Sequence, residues 1–217
     1  MLTFPPFLVF PAIMPPIQYT GGAKGADFEF AARGLAAGHS VNVESFNGHK
    51  ETLPEDCDGN LTMIRWNRQS LANADEPLSL AAKQLQRWVS SNTYVRSLLQ
   101  RNYFQIRNCD SVYAVGKFSD RTDERSDSVK IDGGTAWACQ MFYNKMTQSA
   151  EKGKETLIPL YFFSQTDKAW FRCKQGEDSS VQWVKMETKP PPPAGRYAGI
   201  GSREIDFAGK QAIRNLF

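Results

Sequence analysis

Three short stretches of this chain place glycine beside hydroxyl and cationic residues just ahead of a helix: TGGAKGAD (20–27), DGGT (132–135) and GIGSRE (199–204). Glycine costs about 0.5–1 kcal/mol relative to alanine inside regular structure, so each cluster needs a physical reason. Either the backbone turns tightly there or something approaches it closely. The ligand these residue types suit is an oxyanion, held by free backbone N–H groups and the positive end of a helix. The candidate binding residues are Gly21, Gly22, Ala23, Lys24, Gly25 and Asp27, then Gly116, Gly133, Gly134 and Thr135, then Gly201, Ser202 and Arg203. Lys24 and Arg203 add positive charge, and Thr135 and Ser202 add hydroxyl donors. A nucleotide or nucleotide-derived phosphate is therefore the expected small-molecule partner. No stretch completes the GxGxxG or the GxxxxGK[ST] pattern. Neither a standard dinucleotide site nor an NTPase is indicated, and no cofactor is called for.

Turns of this kind bind only if the elements around them bring them together. SVNVESF (40–46) alternates as a strand does, SVYAVG (111–116) is a short apolar strand ending in glycine, and TLIPLYFF (156–163) is a nearly continuous apolar run. Such a run marks a strand covered on both faces. Helical spacing predicts helices over DFEFAARGLAAGHS up to Gly38, over 78–89 after Pro77, over 93–109, and over the segment after Gly133 as far as a glycine stop at 153. KAWFRCK and VQWVKME, joined across QGEDSS, read as a hairpin whose Trp170 and Trp183 cover one sheet edge. KPPPPAGR (189–196) is a stiff connection, and the chain closes as strand, glycine turn and helix. Strands alternating with helices predict an α/β fold with a mostly parallel sheet flanked by helices. In such a sheet all three turns lie at the carboxyl ends of strands, the usual ligand crevice. The whole chain, 1–217, is expected to form a single domain.

Composition narrows the function classes. Hydrophobic residues make up 41% of the chain, enough for a sizeable core, and the formal net charge is only +3. Nucleic acid is not an expected partner, because no basic stripe is present. The charge-dense KFSDRTDERSDSVK (117–130) mixes both signs and reads as a solvated loop. The cysteines at 57, 109, 139 and 173 show no CxxC spacing, which argues for free thiols in a reducing compartment rather than a metal or redox centre. With only His39 and His49, a histidine metal cluster has too few ligands. The amino-terminal run is apolar but is broken by prolines at 5, 6, 11, 15 and 16 and carries no preceding positive charge. It does not read as a targeting or membrane segment, and a cytoplasmic location is expected.

Taken together, TGGAKGAD, VYAVG with GGTAWACQM, and YAGIGSRE resemble the motifs of the SLOG (SMF/DprA–LOG) superfamily of Rossmann-like nucleotide-binding proteins. The resemblance covers most of the chain and implies a Rossmann-like sheet. In that superfamily the GxGSR strand comes first, whereas here Gly199 to Glu204 follow the proline run. A circular permutation accounts for this order: the first β–α unit, 197–217, has moved to the end, with 189–196 as its new connection. The C-terminal strand should then insert beside the strand ending at Thr20. Exchange of that unit between two copies would instead give a homodimer.

The resemblance implies two activities. LOG-type enzymes hydrolyse the N-glycosidic bond of nucleoside monophosphates with a glutamate shortly after GGxGT, where this chain has Trp137 and Ala138. The remaining carboxylates are Asp27, Glu29, Asp132 and Glu204, of which Glu204 and Asp27 are the catalytic candidates. Asp27 could instead cap its helix, and Glu204 could simply favour a helix amino terminus. DprA-like members handle single-stranded DNA, which needs a basic groove with stacking aromatics. The leading expectation is a sensor or carrier that binds without turnover; a LOG-like phosphoribohydrolase is the alternative. Arg101 and Asn102 could reach the crevice and His49 could touch a ligand, whereas Tyr103, Phe104 and Trp137 are expected in the core.

Overall fold

A computed structural model describes residues 14–56, 58–119, 130–148, 156–177 and 180–217. The expectations for the amino-terminal apolar run through residue 13, Cys57, most of the charged loop 117–130 and the stop at Gly153 lie outside the described residues. Within them the chain forms an eight-stranded, mostly parallel sheet flanked by helices, consistent with a Rossmann-like fold. The strands are β1 (Ile17–Thr20), β2 (Ser40–Phe46), β3 (Leu61–Trp66), β4 (Ser111–Gly116), β5 (Thr156–Ser164), β6 (Ala169–Gln175), β7 (Val181–Lys185) and β8 (Arg196–Gly201). Their spatial order is β3-β2-β1-β8-β4-β5-β6-β7, parallel from β3 to β5 and antiparallel through the β6–β7 hairpin.

The C-terminal strand occupies the centre of the sheet. Tyr197 pairs with Gln18 on one side and with Ser111 on the other. Side chains alternate across the central strands as the pleat requires. From β4, Val112 and Ala114 enter one core while Tyr113 and Val115 enter the other. From β5, Ile158, Leu160 and Phe162 go one way and Tyr161 and Phe163 the other. Both faces are therefore buried, which is why the sequence there is apolar without a break.

The helices are α1 (Ala26–Ala36), α2 (Arg68–Leu71), α3 (Asp75–Leu85), α4 (Thr93–Ile106), α5 (Thr135–Thr147) and α6 (Phe207–Arg214), with a 3-10 turn at Ala72–Ala74. Helices α3, α4 and α5 cover one face through Leu78, Ala81, Leu99, Trp137 and Phe142. Helices α1 and α6 cover the other through Phe30, Ala212 and Ile213. Phe104 stacks on Trp66 with ring centroids 4.3 Å apart, so it belongs to the core beneath β3. Trp170 is buried against Phe163, and Trp183 packs on Phe118 and Phe162, closing the hairpin end of the sheet. Cys109, Cys139 and Cys173 are buried free thiols, and burial pushes the thiol of Cys173 up to about 12. No helix of the described residues is long and apolar enough to cross a membrane.

The helix expected over 93–109 ends at Ile106 and the one expected up to Gly38 ends at Ala36, and two larger differences from the sequence reading concern β3 and α3. The span 61–66, to which periodicity assigns no element, is the edge strand β3, whose residues are at most partly buried and so leave a weak apolar pattern. The helix expected over 78–89 is α3, which begins at Asp75 and ends at Leu85. Pro77 sits in its first turn, where a missing N–H leaves no bond unmade. The helix ends because Gln86 adopts a left-handed conformation, φ 54, and the N–H of Arg87 returns to the Ala82 carbonyl at 3.0 Å. A left-handed non-glycine residue costs about 1–2 kcal/mol. Its effect is to swing Arg87 and Trp88 off the helix.

Candidate functional site

Helix α6 after β8 lies on one face of the sheet and α5 after β4 on the other. Adjacent strands that send their chains to opposite faces open a crevice between their carboxyl ends. In this molecule it is a cleft of about 790 Å³ between Gly201–Glu204 after β8, Gly116–Lys117 after β4, the start of α5, and one side of α4. Of the sequence candidates, Ala23, Asp27, Gly116, Gly133, Gly134, Thr135, Gly201, Ser202, Arg203 and Glu204 line it. Gly21, Gly22, Lys24 and Gly25 do not, and Lys24 is solvent-exposed. The lining also includes Arg101 and Asn102, together with Arg87, Trp88, Leu98 and Gln105, which no motif marks.

The glycines of the first turn serve packing. A Cβ on Gly21 would lie 1.0 Å from the Arg101 guanidinium, and one on Gly25 would lie 2.4 Å from the Arg203 carbonyl. The first and third turns thus lock against each other, with Ala26 N–H donating to the Ser202 carbonyl at 3.0 Å. Asp27 completes the lock and does not act as a helix cap, since it lies inside α1. Its carboxylate accepts from Arg101 Nη1 at 3.3 Å, from Ala23 N–H at 3.4 Å and from Gly201 N–H at 3.2 Å. An internal carboxylate thereby takes up N–H donors of the first and third turns. Burial pushes the Asp27 carboxyl above its ordinary range; the Arg101 charge and the two N–H donors oppose that shift.

The second turn is different. A Cβ on Gly133 or Gly134 would meet nothing within 4 Å, so these glycines border open space. Gly133 has φ 64, a conformation that favours glycine. Its N–H donates to the Asp132 carboxylate at 2.7 Å. Helix α5 begins at Thr135 with no side-chain cap among the described residues. Trp137 N–H turns back to the Gly134 carbonyl at 3.2 Å, which leaves the earlier N–H groups of the first turn to the cleft. Arg87 and Asn102 grip the carbonyls of this turn, and Asp132 holds the Gly133 N–H. Arg87 donates to Gly133 O at 3.0 Å and Ile131 O at 2.9 Å, and Asn102 donates to Gly134 O at 3.2 Å.

Helix α4 forms the polar floor. Arg101 and Gln105, one turn apart on α4, are 5% and 1% exposed. Arg101 Nε and Gln105 Nε2 have no hydrogen-bond partner among the described residues. Buried donors left unpaired are costly, at about 1–3 kcal/mol each. Donors of this kind on the wall of a cleft point to an acceptor supplied by an occupant. The lining also carries Arg87, Lys117 and Arg203, set against the carboxylates of Asp27, Asp132 and Glu204.

The remaining carboxylates are placed less productively. Glu204 is exposed at the rim, in the loop before α6 and not in that helix, whose cap is Asp206 accepting from Gly209 N–H at 2.7 Å. Glu29 is buried on the far side of α1 between Arg33 at 2.9 Å and Arg214 at 3.2 Å. His49 is absent from the cleft lining and is buried behind the first turn, its Nδ1 3.3 Å from Ser45 Oγ and its ring stacked on Phe46. Burial, aided by the positive charge of Arg101 and opposed by Glu51, pushes its pKa down to about 4. A histidine depressed in the folded state contributes stability that is complete above its unfolded value near 6.5 and lost as pH falls through 4. Urea denaturation should therefore show about 3 kcal/mol of stability disappearing over that window. The His49→Gln variant should lack this component, and equal slopes in the two proteins would refute the assignment.

The sequence signal for Arg101 and Asn102 is their place at the end of an apolar-faced helix leading into β4. Arg87 and Trp88 carry no signal, because helical spacing continues through them and only the left-handed Gln86 turns them out. Compared with protein-family models, curated proteins and solved structures, the chain matches none.

Proposed function

We propose that this chain binds a nucleotide or nucleotide-derived phosphate in the cleft, with the phosphate on Gly134 and Thr135 at the start of α5. The observation that carries this reading is the open space over Gly133 and Gly134, where the other two glycine turns are closed against each other. The unpaired Arg101 Nε and Gln105 Nε2 support it as donors to the rest of the ligand. The reading of the chain as a permuted SLOG protein is supported by β8 lying beside β1, the place expected of a relocated first strand. Binding without turnover, as a sensor or carrier, is favoured over hydrolysis because Asp27 has both carboxylate oxygens engaged and Glu204 stands only at the rim.

Native mass spectrometry of the protein with each nucleoside monophosphate, ADP-ribose and NAD tests the proposal. The expected result is an adduct of one intact ligand per chain. Release of free base from a nucleoside monophosphate would convert the reading to a phosphoribohydrolase. No adduct with any of these compounds would overturn it.

A further inference from the structure

Trp88 is 95% exposed, although tryptophan is among the side chains with most to gain from burial. It lies on the cleft lining, to which Val95, Leu98, Leu99 and Ile200 contribute apolar side chains. Its position is fixed by its neighbour. Arg87 is hydrogen-bonded to the carbonyls of Ile131 and Gly133, so the Trp88 loop is tied to the turn that opens α5. We infer that Trp88 is the stacking platform for the nucleobase of the bound ligand, with the base against Trp88 and the phosphate at Gly134. This rests on the ligand reading above and adds the orientation of the ligand and the residue that recognises its ring.

One lining carries the carbonyl-anchored glycines, the uncapped start of α5, the Trp88 indole and the aliphatic side chains of Val95, Leu98 and Leu99. Arg101 and Gln105 line the same cleft from α4 and carry unpaired donors, which suit an occupant with acceptors beyond its phosphate. Stacking on an aromatic face tolerates any base, because every base presents a π-face. Trp88 therefore separates nucleotides from sugar phosphates more than it separates one base from another.

Isothermal titration calorimetry with the four nucleoside monophosphates and with ribose 5-phosphate, which carries the same phosphate without a base, tests this. The proteins compared are the wild type, Trp88→Ala and Trp88→Phe. The exposed position of Trp88 means that neither substitution removes core packing. Trp88→Ala should weaken nucleoside monophosphates by about 10- to 100-fold and change ribose 5-phosphate by less than about twofold. Trp88→Phe should restore most of the loss. Equal affinities for a nucleoside monophosphate in wild type and Trp88→Ala, or equal losses for both ligand types, would overturn the stacking role and leave the cleft reading intact. A wild-type protein that binds none of these phosphates, nor ADP-ribose or NAD, would overturn both.

Discussion

Replacing Gly134 by aspartate is expected to abolish binding of the phosphate-bearing ligand without unfolding the protein. The backbone there has φ −70 and ψ −25, ordinary helical values that any residue adopts, and a Cβ meets no atom within 4 Å. A carboxylate at the start of α5 also suits the positive end of the helix and should add about 0.3–1 kcal/mol of stability. The same charge faces the incoming phosphate, and like charges brought together in a binding site cost several kcal/mol. Affinity should fall by at least about 100-fold while the melting temperature holds or rises. Gly134→Asn, of similar size but neutral, should lose much less. Calorimetric titration and thermal denaturation on the three proteins check this. Undiminished binding to the aspartate variant would remove the second turn from the site.

Replacing Arg101 by leucine should produce the largest loss of stability. Arg101 and Asp27 face each other at 3.3 Å, each with a side chain 6% exposed, and removing one partner leaves a buried charge without its counterion. Such a loss costs about 3–5 kcal/mol. Gly21→Ala should approach the same effect from the other side, because its methyl group would occupy the place of the guanidinium. The pH dependence has a definite sign. Burial raises the Asp27 carboxyl in the folded state, so its contribution favours folding at low pH and is lost as pH rises through the folded value. Without Arg101 that carboxyl rises further. The deficit of the leucine variant should therefore grow as pH rises above the ordinary carboxylate range and shrink as pH falls back toward it. Urea denaturation across that range measures it. A deficit under about 1 kcal/mol, or one independent of pH, would show that the pair does not hold the turns together.

The central strands are legible in the sequence because their physics is local. Residues 40–46, 111–116 and 156–163 carry the alternation or the unbroken apolar run that a pleated strand needs, whatever it later packs against. Glycine before a helix marks the strand ends in the same way, so the edge of the sheet that holds the cleft could be named before the fold was known. The edge strand β3 escaped because its half-exposed face imposes no strict pattern. The end of α3 escaped because its left-handed residue is glutamine, where sequence rules look for glycine or asparagine.

What the sequence by itself determined is the parallel α/β architecture and the edge where the glycine turns gather, since both follow from residue spacing along single elements. What each turn does was decided only in the folded molecule. Gly21 and Gly134 look alike in the sequence, yet one faces a guanidinium from α4 and the other faces open space. That difference depends on Arg101 and on the arrival of β8 and its turn, segments far away along the chain. A Cβ clash or a free N–H is a property of what packs there, and no local pattern carries it.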